Sequence, residues 1–201
     1  MTIDATVFGH DLADLNDGFL ALVLTGSDAG LPGVVAARLC LLDQPARERL
    51  ASVSFALFGF GFEDEAGWAG LLSPGVRDLE PAYTACEPIV ERFTLLALTT
   101  LRSFIRMAPY SVSAWAGLPR ETRTRLATVG IAGLGLVAPL ASTRLRGRLA
   151  DREAFWLRLI DAAEKNDARQ LALLAALGRQ WTIRRSLGLP VPPQPVRGFR
   201  R

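Results

Sequence analysis

One pattern in this chain occurs twice, and it limits the folds open to the rest. Residues 42–53 align with residues 118–129, identical at six of twelve positions, and Ser52 against Thr128 is chemically close. Leu42, Arg47, Arg49, Leu50, Ala51 and Val53 return as Leu118, Arg123, Arg125, Leu126, Ala127 and Val129. Downstream, Glu65, Ala66 and Trp68 return as Glu153, Ala154 and Trp156. Each tryptophan is followed three and four residues later by aliphatics, Leu71 and Leu72 in one copy, Leu159 and Ile160 in the other. The second copy carries twelve more residues between the two blocks, and the arginine-rich segment 144–148 is counted among them. Repetition of this kind predicts two supersecondary units that bury their apolar faces together. In each unit Leu, Ala and Val fill one helical face and tryptophan seals the end.

The expected fold class is therefore mainly α, a bundle of short helices in two related halves. An acidic half spans 1–86, a basic half spans 87–189, and a Pro/Arg-rich tail, extended or disordered, covers 190–201. Charge separates the halves sharply. Residues 1–92 hold five arginines against fourteen acids, a net of −9; residues 93–201 hold seventeen arginines and Lys165 against six acids, a net of +12. Such polarity predicts halves that face each other, or a basic half that meets an acidic partner. Lys165 is the only lysine, an arginine bias that fits a GC-rich bacterial genome.

A chain of 201 residues buries roughly 70% of its extended surface and needs no staples. Its longest apolar runs, 50–62 and 129–141, fall short of the ~20 residues of a spanning helix. Residues 1–10 show neither a basic n-region nor an apolar h-region, so the expected location is cytoplasmic. Cys40 and Cys86 then read as small buried hydrophobes in a reducing compartment, not as a disulfide.

Periodicity places the helices. Asp11 is expected to cap a first helix with Leu12, Leu15, Phe19 and Leu22 on one face. Pro32 opens a second, and Asp43 with Pro45 opens a third that runs toward Phe55. Phe58, Phe60 and Phe62 alternate with glycines, which predicts a short strand or an aromatic turn near 55–62. The clearest amphipathic helix starts at Pro88, with Val90, Phe93, Ala97, Leu101 and Phe104 inward, and Pro109 ends it. Short helices follow over 111–116 and 119–127, then a helix around Phe155, Trp156 and Ile160. Asp167 caps the last long helix, in which Gly178 costs about 1 kcal/mol relative to alanine.

Chemistry is sparse. His10 is the only histidine, so a Ser-His-Asp arrangement would have to use a residue near the terminus. Two cysteines and one histidine lack zinc-ligand spacing, and Lys165 has no phosphate-loop context. Glu63, Asp64 and Glu65 suit the positive end of a helix better than acid-base work, since neighbours on a helix diverge. A helix-glycine-helix outline over 123–137 would present Ile131, Leu134, Leu136 and Val137 to DNA, a surface that belongs in a core. The expectation is no catalytic residue, no cofactor and no metal. The one candidate binding feature is a basic patch of Arg144, Arg146, Arg148, Arg184, Arg185, Arg197, Arg200 and Arg201, able to meet phosphates or an acidic protein.

From 114 to about 177 the chain resembles the FlhD family of flagellar transcriptional regulators. The resemblance rests on Ala114, Trp115, Ala116, Gly117 and Leu118, then Glu121 with Leu126 and Ala127, then an apolar helix ending Pro139, Leu140 and Ala141. It implies a small helical protein that works with a partner protein on DNA and has no enzymatic activity. The apolar, arginine-bearing character also looks like cytosolic adaptors of type III secretion systems. The expected function is a non-enzymatic helical interaction or regulatory protein. Its partner is expected to be another protein. A secretion adaptor and nucleic-acid binding through the basic half are the alternatives, and self-association is compatible with each.

Overall fold

The computed structural model describes residues 5–73 and 87–192, without the side chains of residues 5–8 and 110. Among the described residues the chain is a bundle of ten α-helices with one small antiparallel sheet. The first half comprises α1 (Ala5–Leu24), α2 (Gly33–Cys40), α3 (Gln44–Ala51), β1 (Phe58–Gly59) and α4 (Glu65–Leu71). The second comprises α5 (Pro88–Met107), α6 (Pro109–Ala116), α7 (Arg120–Thr128), α8 (Ile131–Ser142), β2 (Arg146–Gly147), α9 (Glu153–Glu164) and α10 (Ala168–Ser186). No helix among them is long and apolar enough to cross a membrane.

Local chemistry sets most of the ends. Asp43 Oδ1 accepts the Ala46 N–H at 2.8 Å and Asp167 Oδ1 accepts the Gln170 N–H at 2.8 Å, so both satisfy donors that a helix start leaves orphaned. Gly117 closes α6 at φ 63°, a left-handed conformation that glycine adopts without a Cβ penalty. Two ends differ from expectation. Asp11 lies inside α1 and caps nothing, because a carboxylate that still reaches solvent is tolerated in a helix interior. α6 begins at Pro109 and not at Ser111, since the missing proline N–H is no loss in a first turn, and Pro109 still marks the end of α5 at Met107.

The two halves meet through the sheet. Phe58 pairs with Gly147 and Gly59 with Arg146. Phe58 and Arg146 both lie ten residues before the tryptophan of their copy. Each strand thus pairs with its own counterpart, the self-complementary pattern that a twofold axis requires. The turns beyond the strands also match. Gly61 and Leu149 sit at φ 61° and 56°. The Asp64 N–H reaches Gly61 O at 3.1 Å, and the Arg152 N–H reaches Leu149 O at 2.8 Å. Trp68 Nε1 donates to Phe60 O at 3.1 Å, and Trp156 Nε1 donates to Arg148 O at 2.8 Å, eight residues back in both cases. A left-handed leucine costs on the order of 1–3 kcal/mol; here its side chain is buried in the core.

Packing is exchanged between the halves. The Trp156 helix α9 packs on α3, and the Trp68 helix α4 packs on α7. α1 and α5 also touch, so one apolar core runs through both halves. The added residues fall within 130–143, the stretch that forms α8, Ile131–Ser142. The arginine segment, counted with that addition in the sequence, is instead the direct counterpart of residues 56–60, which precede Trp68 at the same distance.

α10 runs unbroken through Gly178, because the gap left by its missing side chain is filled by aromatic rings. A Cβ there would lie 2.8 Å from Phe55 Cζ and 3.0 Å from Phe155 Cζ. Gly178→Ala is expected to lower stability by about 1–3 kcal/mol despite the gain in helix propensity, since overpacking outweighs it. Urea denaturation measures this directly.

Candidate functional site

The arginines of the basic patch divide into distinct settings. Arg144 Nη1 contacts Asp64 Oδ2 at 2.8 Å. Asp64 also accepts the Gly67 N–H at 3.0 Å at the start of α4. That backbone bond first, and Arg144 second, hold the Asp64 carboxyl below its ordinary pKa. Arg185 Nη2 reaches both oxygens of Asp151 at 2.6 Å. Arg184 turns elsewhere and donates to Pro190 O at 2.8 Å. Arg197, Arg200 and Arg201 lie outside the described residues.

Arg148 is held differently from the rest. Its Nε donates to Ala56 O and Phe58 O at 2.9 Å each, and Nη2 donates to Ala116 O at 2.9 Å. Neutral carbonyls from three segments therefore grip the guanidinium, and among the described residues no carboxylate forms an ion pair with it. Desolvation pushes its pKa down to about 10, with Glu63 opposing and Arg185 adding to the fall. It remains protonated at neutral pH. Gly117 makes room for it, since a Cβ there would stand 2.8 Å from Arg148 Nη1. The sequence places this residue in a basic patch able to meet phosphates or an acidic protein, whereas it is half-buried because β2 carries it across the pairing into the other half.

Arg144, Arg146, Arg148 and Arg185 converge on one cleft of about 230 Å³ beside the sheet, together with Glu63 and Asp151. The Arg146 stem lies over Gly30, where a Cβ would fall 2.5 Å from Cδ. Its Nη1 donates to Leu145 O at 2.6 Å, and it forms no ion pair with the described residues. Thr182 also lines the cleft, and its buried Oγ1 has no hydrogen-bond partner.

A second cavity, of about 390 Å³, lies between α3, the end of α9 and the start of α10. Its two ionisable residues are already engaged, Arg49 with Ala163 O at 2.8 Å and Asp167 in capping α10. Among the described residues no cluster of His, Cys, Asp and Glu is placed to hold a metal. Cys40 is exposed at the end of α2, contrary to the expected burial, and Cys86 lies outside the described residues.

Charge polarity does not make the halves simple complements. Arg144 to Asp64 pairs the basic half with the acidic one, and Arg38 to Glu164, at 2.6 Å, runs the other way. No motif in the sequence singles out Asn16. It is fully buried and bonds Ala51 O, Phe55 O and the Leu57 N–H at 3.0, 3.1 and 2.8 Å. Its position four residues after Leu12 and four before Leu20, on the apolar face, was the available sign.

No protein-family model, curated protein or solved structure matches the chain.

Proposed function

We propose that the chain is a non-enzymatic, cytoplasmic interaction protein, a duplicated helical scaffold that holds a protein partner on α8. One observation carries this function. α8 has no counterpart in the first copy, and none of its twelve residues is charged. Leu134, Val137, Ala138 and Ala141 are buried on its inner side, and the helix packs chiefly on α5. On the other side Ile131 is 66% exposed and Leu136 42%, with Ala132 and Gly135 beside them. A helix that is apolar on every side is ordinarily buried, and an outward aliphatic face marks an interaction surface.

The FlhD-like stretch supports a more specific form, a transcriptional co-regulator that acts on DNA through its partner. The pairing of Arg144 and Arg185 with carboxylates supports a protein partner over direct phosphate contact, because an extended polyanion needs a row of unpaired cations. A double substitution tests the function. Ile131→Glu with Leu136→Glu is expected to leave the melting temperature within a few degrees, as surface changes usually cost under ~0.5 kcal/mol each. It should abolish the stoichiometric co-purification of a protein partner that is expected of the wild type from its native lysate. A wild type that retains only nucleic acid, or a variant that keeps its partner at full yield, contradicts this function. A retained component of a secretion machine identifies the adaptor form.

A further inference from the structure

We propose that the arginine cleft between β1, β2 and α10 binds a single carboxylate group. This site is separate from α8 and does not depend on the partner surface there. Four guanidinium groups converge on the cleft, and three carboxylates, Glu63, Asp64 and Asp151, lie in or beside it. Arg144 is paired with Asp64, and Asp151 with both Arg185 and Arg152. Among the described residues the cleft-lining groups left without an ion pair are therefore Arg146 and Arg148 against Glu63, an excess of one positive charge that a monoanion neutralises and a phosphate dianion overshoots.

The unused hydrogen-bonding capacity points the same way. Arg148 Nε and Nη2 are committed to carbonyls, while its Nη1 makes no hydrogen bond with the described residues. Arg146 brings a second guanidinium without a carboxylate partner. Thr182 adds a buried hydroxyl with no partner of its own. Planar guanidinium forks match a carboxylate in geometry as well as in charge. The cleft, at about 230 Å³, is smaller than the ~300–1,000 Å³ of sites for drug-sized ligands. Its occupant is accordingly a small free acid or the terminal carboxylate of a peptide chain.

The tryptophan turn does not by itself call for Arg148. Its counterpart in the first copy is Phe60, fully buried, and there too the backbone carbonyl accepts the tryptophan N–H. The turn is therefore built equally well without a cation. Arginine at this position departs from the symmetric solution and opens a charged cleft where the other copy has aromatic core.

Calorimetric titration of the full chain at constant ionic strength tests the assignment, with propionate as probe, propionamide as neutral control and methyl phosphate as rival. Saturable propionate binding is expected, at least tenfold weaker in Arg146→Gln and weakened in Thr182→Val. Neither substitution disturbs the carbonyl clamp around Arg148, so both variants stay folded and decide the matter even if Arg148→Gln does not fold. Equal response to propionate and propionamide, unchanged binding in Arg146→Gln, or tighter binding of methyl phosphate overturns the proposal. A short peptide acid that binds more tightly than propionate, and loses binding as its C-terminal amide, supports a chain end as the source. Equal binding of peptide acid and propionate supports a free acid.

Discussion

Asn16→Leu is expected to lower the free energy of unfolding by about 3–5 kcal/mol, because it strips partners from three buried backbone groups. The Asn16 amide N–H₂ serves Ala51 O and Phe55 O, and its carbonyl serves the Leu57 N–H. Leucine fits the volume and offers none of these bonds. The affected stretch leads from α3 into β1, so the aromatic chain that follows should loosen with it. Phe58 meets Phe60 and Phe93 at ring separations of 5.8 and 5.1 Å, and Phe62 meets Trp68 at 4.8 Å. Urea denaturation should show a lower midpoint with an unchanged slope. A loss below about 1 kcal/mol would mean that Asn16 does not hold this segment.

Trp156→Ala should cost a similar amount, about 3–5 kcal/mol, from the large cavity it leaves. Trp68→Ala should match it to within about 1 kcal/mol, since both indoles are fully buried and both donate eight residues upstream. Equal cost is the informative part. Two tryptophans in unrelated surroundings have no reason to agree, whereas equivalent positions of a duplicated unit do. Thermal or urea unfolding of the two variants side by side measures the difference.

Much of the helical layout was legible because its physical basis is local. Asp43, Pro88, Gly117 and Asp167 act within a turn of where they stand, and the α5 stripe of Val90, Phe93, Ala97, Leu101 and Phe104 is buried as its spacing requires. The repeat was visible through Trp68 and Trp156, but not the exchange of α4 and α9 between halves, which depends on contacts distant in sequence. Gly133, Gly135 and Pro139 weaken the local helix signal of α8, which the sequence offers only through the helix-glycine-helix outline and the apolar helix ending Pro139, Leu140 and Ala141. A helix with a packed inner face tolerates them, and tertiary contact outweighs propensity. In the sequence Arg148 is one cation among eight; only the pairing of Phe58 with Gly147 reveals that its guanidinium enters the opposite half. The cleft combines Arg144, Arg146 and Arg148 with Arg185, and no spacing in the chain brings those residues together.

The central claim is that two copies of one helical unit complete each other, neither having a core of its own. Separate expression of residues 1–86 and 87–201, followed by mixing, tests it through the cooperativity of unfolding seen by circular dichroism. Each piece alone should lack a cooperative transition, and the equimolar mixture should regain one. A sharp transition in either isolated piece, unchanged by adding the other, would contradict the claim.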